Sequence, residues 1–216
     1  MSLSDDILQA NDSILNEMLT HRFVEDICAD RLPPDVFQRY VAYEGAFVET
    51  AISIFAYAVA RAPDMEARRW MIGVLDALAN EQIPYFEERY QTLNITQPVD
   101  LPPQALAFDD GMRELAAEGD FLDIVTAMFA AEWMYWTWSK RAITCQISNP
   151  DLKAWVALHV DETFAAQAMW LKQAINRYGS ANDHNRLSAI FAKVTRLEID
   201  FHSAPYSVQG SGSHGS

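Results

Sequence analysis

The stretch that most constrains this chain runs from Phe121 to Ala142, FLDIVTAMFAAEWMYWTWSKRA. Between Asp123 and Lys140 its only charged residue is Glu132, and aromatic side chains crowd the second half of the run. A helix that is apolar nearly all round lies at the centre of a bundle or crosses a membrane. Because Glu132 divides the run into pieces shorter than the roughly 20 apolar residues of a span, we predict a buried central helix. Aromatic stripes most often form plain core, but this one would also serve as the wall of a pocket for a flat ligand.

The composition indicates an all-α globular protein. Half of the 216 residues are apolar, 21% are charged, and only 8 are glycine, which favours helices. No alternating strand pattern and no internal repeat is present. The apolar periodicity predicts a single-domain bundle of about seven helices over residues 1–203, and the Gly/Ser-rich residues 204–216 are predicted to form a flexible tail.

Charge and motif content argue against several classes of function. The net charge of −14 disfavours binding to nucleic acid or to an anionic membrane. Cys28 and Cys145 do not make a disulfide framework, and the N-terminal residues lack the pattern of a secretory signal, so a cytoplasmic location is expected. The sequence has no nucleophile elbow and no phosphate-binding loop. The nearest approach to a di-iron motif, His159-Val-Asp-Glu162, is in reversed order and has no partner, so neither a metal nor another cofactor is expected.

Two predicted helices carry a glutamate on their inner face. Glu44 lies in the apolar stripe that begins with Phe37 and Tyr40, and Glu198 lies beside the inner face of the last predicted helix, residues 182–202. A carboxylate that faces a core destabilises the fold unless it is paired or hydrogen-bonded. Each glutamate is therefore either a structural ion pair or a functional acid or base, and the sequence leaves both interpretations open. Tyr135, in the middle of the central helix, is placed to present a hydroxyl to the same cavity.

The order and spacing of several short motifs resemble the TenA/thiaminase II proteins, which have the haem-oxygenase-like all-α fold. The resemblance covers roughly residues 10–202. No single motif is specific, and the match depends on their order. The motifs that carry it are His21-Arg-Phe23, Leu32-Pro33, Phe37-Gln-Arg-Tyr40, Ala117-Glu-Gly-Asp-Phe121, Trp133-Met-Tyr135, Trp155 to Phe164, and Glu198-Ile-Asp-Phe201.

The resemblance also implies a site, with informative departures. Glu44 falls where the family usually has an aspartate that holds an aminopyrimidine ring, and Glu198 matches the family's catalytic glutamate. Ala131 occupies the position of the usual nucleophilic cysteine, so the chain resembles the branch that lacks this cysteine and relies on glutamate. Three further positions where tyrosines are usual differ here, namely Phe47, Phe108 and His159.

For this branch the resemblance implies hydrolysis of aminomethyl or formylaminomethyl pyrimidines in thiamin salvage by a homotetramer. We expect Glu198 to protonate the leaving nitrogen, Glu44 to bind the ring and orient or deprotonate water, and Tyr135 to hydrogen-bond the reacting centre. The other predicted substrate contacts are Phe47, Trp133, Phe108, His159, Phe201 and Ala131. Glu132 is a rival carboxylate, although it lies about 100° around the helix from Ala131.

Other interpretations stay open. The missing cysteine and tyrosines are compatible with a non-hydrolytic pyrimidine-binding or regulatory protein on the same fold. An oxidative enzyme of the pyrroloquinoline-quinone-synthase or haem-oxygenase type would be indicated by a haem absorbance band or by bound metal. A purely structural helical protein is the third alternative. The sequence identifies neither the preferred pyrimidine nor whether thiamin itself is cleaved.

Overall fold

The computed structural model describes residues 2–207, and within this range every regular element is helical, which confirms the all-α prediction. A π-helical segment, Leu78–Gln82, joins two of the α-helices, and 3-10 turns lie at Ala181–Asp183 and Ala204–Tyr206. The α-helices are α1 (Leu3–Ala10), α2 (Asp12–Leu19), α3 (Arg22–Cys28), α4 (Pro34–Arg61), α5 (Met65–Ala77), α6 (Ile83–Thr92), α7 (Pro103–Glu118), α8 (Phe121–Ala142), α9 (Pro150–Leu158), α10 (Glu162–Tyr178) and α11 (His184–Ser203).

The central helix predicted from the apolar run is α8, with the predicted bounds. It begins at Asp120, whose carboxylate accepts the Asp123 N–H at 3.0 Å, while Asp123 in turn accepts the Asp120 N–H. This reciprocal capping satisfies two backbone donors that a helix start leaves free. Most of α8 is buried because α10 and α11 pack against it. No helix within residues 2–207 combines the length and hydropathy that a bilayer crossing needs.

Residues 150–178 form two helices in the structure, α9 and α10, rather than one continuous helix. His159 caps the end of α9, and the Asp161 carboxylate accepts the Phe164 N–H at 2.7 Å and thereby starts α10. An aspartate at this position competes with helix continuation, because its side chain replaces the backbone acceptor of the first turn. The break places the His159 imidazole at the end of a helix.

The packed part of the chain extends beyond the predicted boundary at residue 203. Ala204 is fully buried in the 3-10 turn, and the Pro205 carbonyl accepts a hydrogen bond from the Arg39 side chain at 2.6 Å. The Tyr206 hydroxyl donates to Asp26 at 2.8 Å. Residues 204–206 are therefore packed and do not belong to a flexible tail, and residues 208–216 of that prediction lie outside the described residues.

Candidate active site

Four helices bring the predicted acidic and hydroxyl groups to one place. Glu44 comes from α4, Tyr135 from α8 and Glu198 from α11, while α9 contributes Trp155. The hydroxyl of Tyr40, one turn before Glu44, forms a short hydrogen bond with the Tyr135 hydroxyl and ties α4 to α8. The structure thus joins the three predicted catalytic residues in one cluster.

Glu44 is held by hydrogen bonding rather than by an ion pair with lysine or arginine. The Trp155 indole N–H donates to its Oε2 at 2.7 Å, and the His159 Nε2 lies 3.7 Å from its Oε1. Within residues 2–207, His159 is the only basic side chain at ion-pair distance, and the Glu44 side chain is 18% exposed. A carboxylate accepts about four hydrogen bonds, so Glu44 keeps acceptor positions that a ligand could use.

Glu198 lies in a drier environment than Glu44. It is 1% exposed, and burial, with a further contribution from the nearby Glu44 charge, raises the pKa of Glu198 well above its usual range. The His202 Nδ1–H donates to the Glu198 backbone carbonyl at 2.7 Å and lies 3.5 Å from the carboxyl Oε2. Burial also lowers the pKa of His202 to about 3. Burial therefore favours the neutral form of both side chains, and a protonated Glu198 carboxyl has a proton to donate.

The two tyrosines of the cluster keep their hydroxyl protons. Burial is the main cause of the raised pKa of Tyr40, and the Glu44 charge adds to it. The pKa of Tyr135 is raised by burial and then by the charges of Glu198 and Glu44. Both phenols are therefore hydrogen-bond donors at physiological pH, not bases.

Aromatic rings continue from this polar cluster as a wall. The Phe201 ring lies 5.9 Å from Tyr40, Phe108 lies 5.0 Å from Phe201, and Phe47 lies 4.6 Å from Phe108. These spacings are those of packed aromatic pairs, which can also accept a flat heteroaromatic ring. Ala131 is buried one helical turn before Tyr135, so its face of α8 offers no nucleophile there.

Two of the residues considered from the sequence lie away from the cluster. Trp133 is two residues before Tyr135, hence about 200° around α8. Its ring packs on Phe129 at 5.3 Å and lies under the Lys172 ammonium at 4.8 Å, so these contacts do not support its predicted place in the wall. Glu132 is buried between α8 and α10, where Gln167 donates to its Oε1 at 2.7 Å and burial raises its pKa to about 8.

Three contributing residues were not among the predicted site residues: Tyr40, Trp155 and His202. Each lies four residues from a predicted one on the same helix face, namely from Glu44, His159 and Glu198 respectively. The i, i+4 spacing was the available signal, but the cross-helix contacts of these side chains depend on tertiary packing. In the described part of the chain, no three His, Cys, Asp or Glu side chains are grouped to hold a metal ion. The cluster offers acid, base and hydrogen-bonding groups.

Comparison with known proteins gives a consistent family assignment. The family model described as TENA/THI-4/PQQC family matches residues 8–207. The chain is 21% identical to the aminopyrimidine aminohydrolase of Halalkalibacterium halodurans, covering 95% of this chain and 96% of the relative. It is 20% identical to the aminopyrimidine aminohydrolase of Bacillus subtilis, covering 88% and 84%. The solved TenA homologue from P. horikoshii OT3 superposes with a TM-score of 0.87 at 16% identity, covering 95% of this chain and 99% of that one, which shows the shared fold.

Proposed function

The chain belongs to the TENA/THI-4/PQQC family, and from this premise we propose that it hydrolyses aminopyrimidines. The substrate would be an aminomethyl or formylaminomethyl pyrimidine, and the pyrimidine product would carry a hydroxymethyl group. The relatives named aminopyrimidine aminohydrolase support the reaction class. The observation that carries the proposal is a buried Glu198, whose pKa burial raises, together with a partly exposed, hydrogen-bonded Glu44 beside an aromatic wall.

Glu44 is the group proposed to bind the ring. Its Oε2 is occupied on one side by the Trp155 N–H, which fixes the carboxylate plane and leaves other lone pairs free. An exocyclic amino group would donate to this carboxylate, and the pyrimidine ring would pack on the Phe201 and Phe108 side of the cluster. The remaining acceptor positions of Glu44 would orient a water molecule towards the methylene carbon.

Glu198 is the group proposed to drive the bond cleavage. Its proton would pass to the leaving nitrogen as the carbon–nitrogen bond breaks, because an amine leaves only when protonated. Water would supply the oxygen of the new carbon–oxygen bond, and ammonia would be the second product of the aminomethyl substrate. Within the Tyr40–Tyr135 pair one hydroxyl donates to the other, and the remaining hydroxyl hydrogen, proposed to be that of Tyr135, would donate a hydrogen bond at the reacting centre. The sequence supplies no cysteine at Ala131, so the proposed route has no covalent thioether intermediate.

The first test is a turnover assay with purified protein. Wild type should release ammonia from 4-amino-5-aminomethyl-2-methylpyrimidine, and Glu198→Gln should abolish the release. His184→Ala, a change at the start of α11 away from the cluster, should retain wild-type rates and serves as the control. Tight binding of the pyrimidine by wild type without any ammonia would reject the hydrolase and favour the binding or regulatory alternative.

A further inference from the structure

The hydrogen bonding of His159 fixes which of its ring nitrogens carries the proton. The Nδ1 atom lies 2.9 Å from the backbone carbonyl oxygen of Trp155. Because a carbonyl oxygen only accepts, this contact requires a hydrogen on Nδ1. In the neutral imidazole the lone pair is then on Nε2, which is the nitrogen that lies 3.7 Å from the Glu44 Oε1.

The packing around the ring holds this lone pair in one direction. The Tyr135 ring stacks on the imidazole with centroids 5.1 Å apart and an interplanar angle of 24°. Phe164 packs edge-on at 5.0 Å, and the Trp155 ring lies at 4.4 Å. The His159 side chain is still 12% exposed, so a small molecule can reach it. The imidazole is both oriented and accessible.

Trp155 aligns the imidazole and the carboxylate together. Its carbonyl accepts from His159 Nδ1, and its indole N–H donates to Glu44 Oε2. The 3.7 Å gap between Nε2 and Oε1 is too long for a direct hydrogen bond. It is short enough for one water molecule to contact both atoms.

We propose that His159 is the general base of the reaction, accepting a proton from the attacking water on Nε2 while Glu44 stabilises the imidazolium. This inference rests on the proposed function and goes beyond it, since it gives His159 a chemical role in addition to substrate contact. Of the other groups in the cluster, Glu198 and both tyrosines keep their protons, and His202 is fully buried. The Glu44 carboxylate accepts the Trp155 N–H and is proposed to bind the ring and orient the water.

The step balances without any further reactant. An O–H bond of water breaks, its proton goes to Nε2 of His159, and the oxygen forms a bond to the methylene carbon. The carbon–nitrogen bond breaks towards nitrogen, which takes the proton of Glu198 and leaves as ammonia. The proton on His159 then returns, through the tyrosine hydroxyls or solvent, to the Glu198 carboxylate. One water is consumed, one ammonia is released, and both side chains regain their starting states.

The kinetic test uses His159→Phe and His159→Ala. Phenylalanine preserves an aromatic ring beside Tyr135 but has no lone pair, so kcat should fall by about 10²- to 10⁴-fold while KM changes little. Alanine leaves space for a free base, so added imidazole should restore part of the lost rate in His159→Ala. Imidazole should not change the rates of wild type or His184→Ala. A His159→Phe rate within a factor of two of wild type, or no rescue of His159→Ala by imidazole, would overturn the assignment.

A spectroscopic measurement keeps the inference testable even where a variant folds poorly. Nitrogen-15 NMR of the wild-type protein should show His159 with a protonated Nδ1 and an unprotonated Nε2, and a protonated Nε2 in the neutral ring would overturn the inference. This readout needs no substrate. If wild type releases no ammonia, the proposed function and with it the catalytic role fail. If wild type releases ammonia but His159→Phe is unimpaired, only the role of His159 fails.

Discussion

Replacing Glu198 with glutamine removes an acidic proton while leaving the shape of the side chain nearly unchanged. The wild-type carboxyl is 1% exposed, and burial together with the Glu44 charge raises its pKa well above the usual range. Glutamine cannot protonate a leaving nitrogen, so kcat should fall by about 10²- to 10⁴-fold, the usual contribution of general acid catalysis. The Kd for the pyrimidine, measured by calorimetry, should change little.

The same substitution should raise the free energy of unfolding at neutral pH. The pKa of Glu198 is higher in the folded than in the unfolded chain, so unfolding releases a proton and rising pH favours the unfolded state. In wild type, the free energy of unfolding keeps its full value below the pKa of the unfolded glutamate, about 4.3. Above that pH it falls by up to about 1.4 kcal/mol per pH unit until the pKa of the folded state is reached. Glutamine has no proton to release. For a domain of this size, each kcal/mol regained raises Tm by roughly 2–4 °C.

The assay compares melting at pH 5, 6 and 7 with ammonia release at each pH. Glu132→Gln is the matched control, because Glu132 is also a buried glutamate with a pKa raised to about 8 but lies outside the cluster. Both variants should gain stability relative to wild type as the pH rises, and only Glu198→Gln should lose activity. Wild-type turnover by Glu198→Gln, or a loss of stability at pH 7 in that variant alone, would refute the proposal that Glu198 is a buried, protonated general acid.

Other substitutions test separate contacts of the account. Trp155→Phe removes the 2.7 Å hydrogen bond to Glu44, and a hydrogen bond to a charged group contributes about 1.5–3 kcal/mol. We therefore expect kcat/KM for ammonia release to fall by about 10- to 100-fold. An unchanged kcat/KM would contradict the role of Trp155 in aligning Glu44. Tyr135→Phe leaves the buried Tyr40 hydroxyl without its partner. This loss should lower the free energy of unfolding, measured in urea, by about 1–3 kcal/mol and should also reduce kcat. Wild-type stability and wild-type kcat would show that the hydroxyl pair is dispensable. Tyr206→Phe removes a hydrogen bond to a buried aspartate and should cost about 1 kcal/mol in the same urea experiment with wild-type kcat, whereas no loss of stability would contradict the packing of the last turn.

The sequence was sufficient to predict α8 because its signal is local. An apolar run with one charge over a length of several helical turns has few structural solutions, and the observed bounds of α8 are those of the run. The inner positions of Glu44 and Glu198 were also predictable from local sequence, because each glutamate is spaced by whole helical turns from apolar neighbours. That the two carboxyls would lie in one cluster, with different exposures, required the packing of α4 against α8 and of α8 against α11.

Other features of the site depended on weaker local competition or on tertiary contacts. The break between α9 and α10 coincides with the Asp161 cap, and an N-cap of this kind contributes only about 1 kcal/mol. A prediction that misses this break cannot place His159 at the end of a helix. Trp133 and Tyr135 belong to the same short motif, yet the helical rotation between them sends the two side chains to different sides of α8. The Trp155 contact to Glu44 joins residues 111 positions apart and leaves no periodic trace in the sequence.

The most direct test of the central claim is product analysis during many turnovers of wild-type protein with excess 4-amino-5-aminomethyl-2-methylpyrimidine. Hydrolysis by acid and base side chains predicts equimolar ammonia and hydroxymethyl pyrimidine, accumulating linearly far beyond the enzyme concentration. It also predicts that the protein mass stays unchanged when the reaction is quenched at early times. Pyrimidine bound at one per chain with no ammonia released, or a pyrimidine adduct on the quenched protein, would contradict hydrolysis by these acid and base side chains.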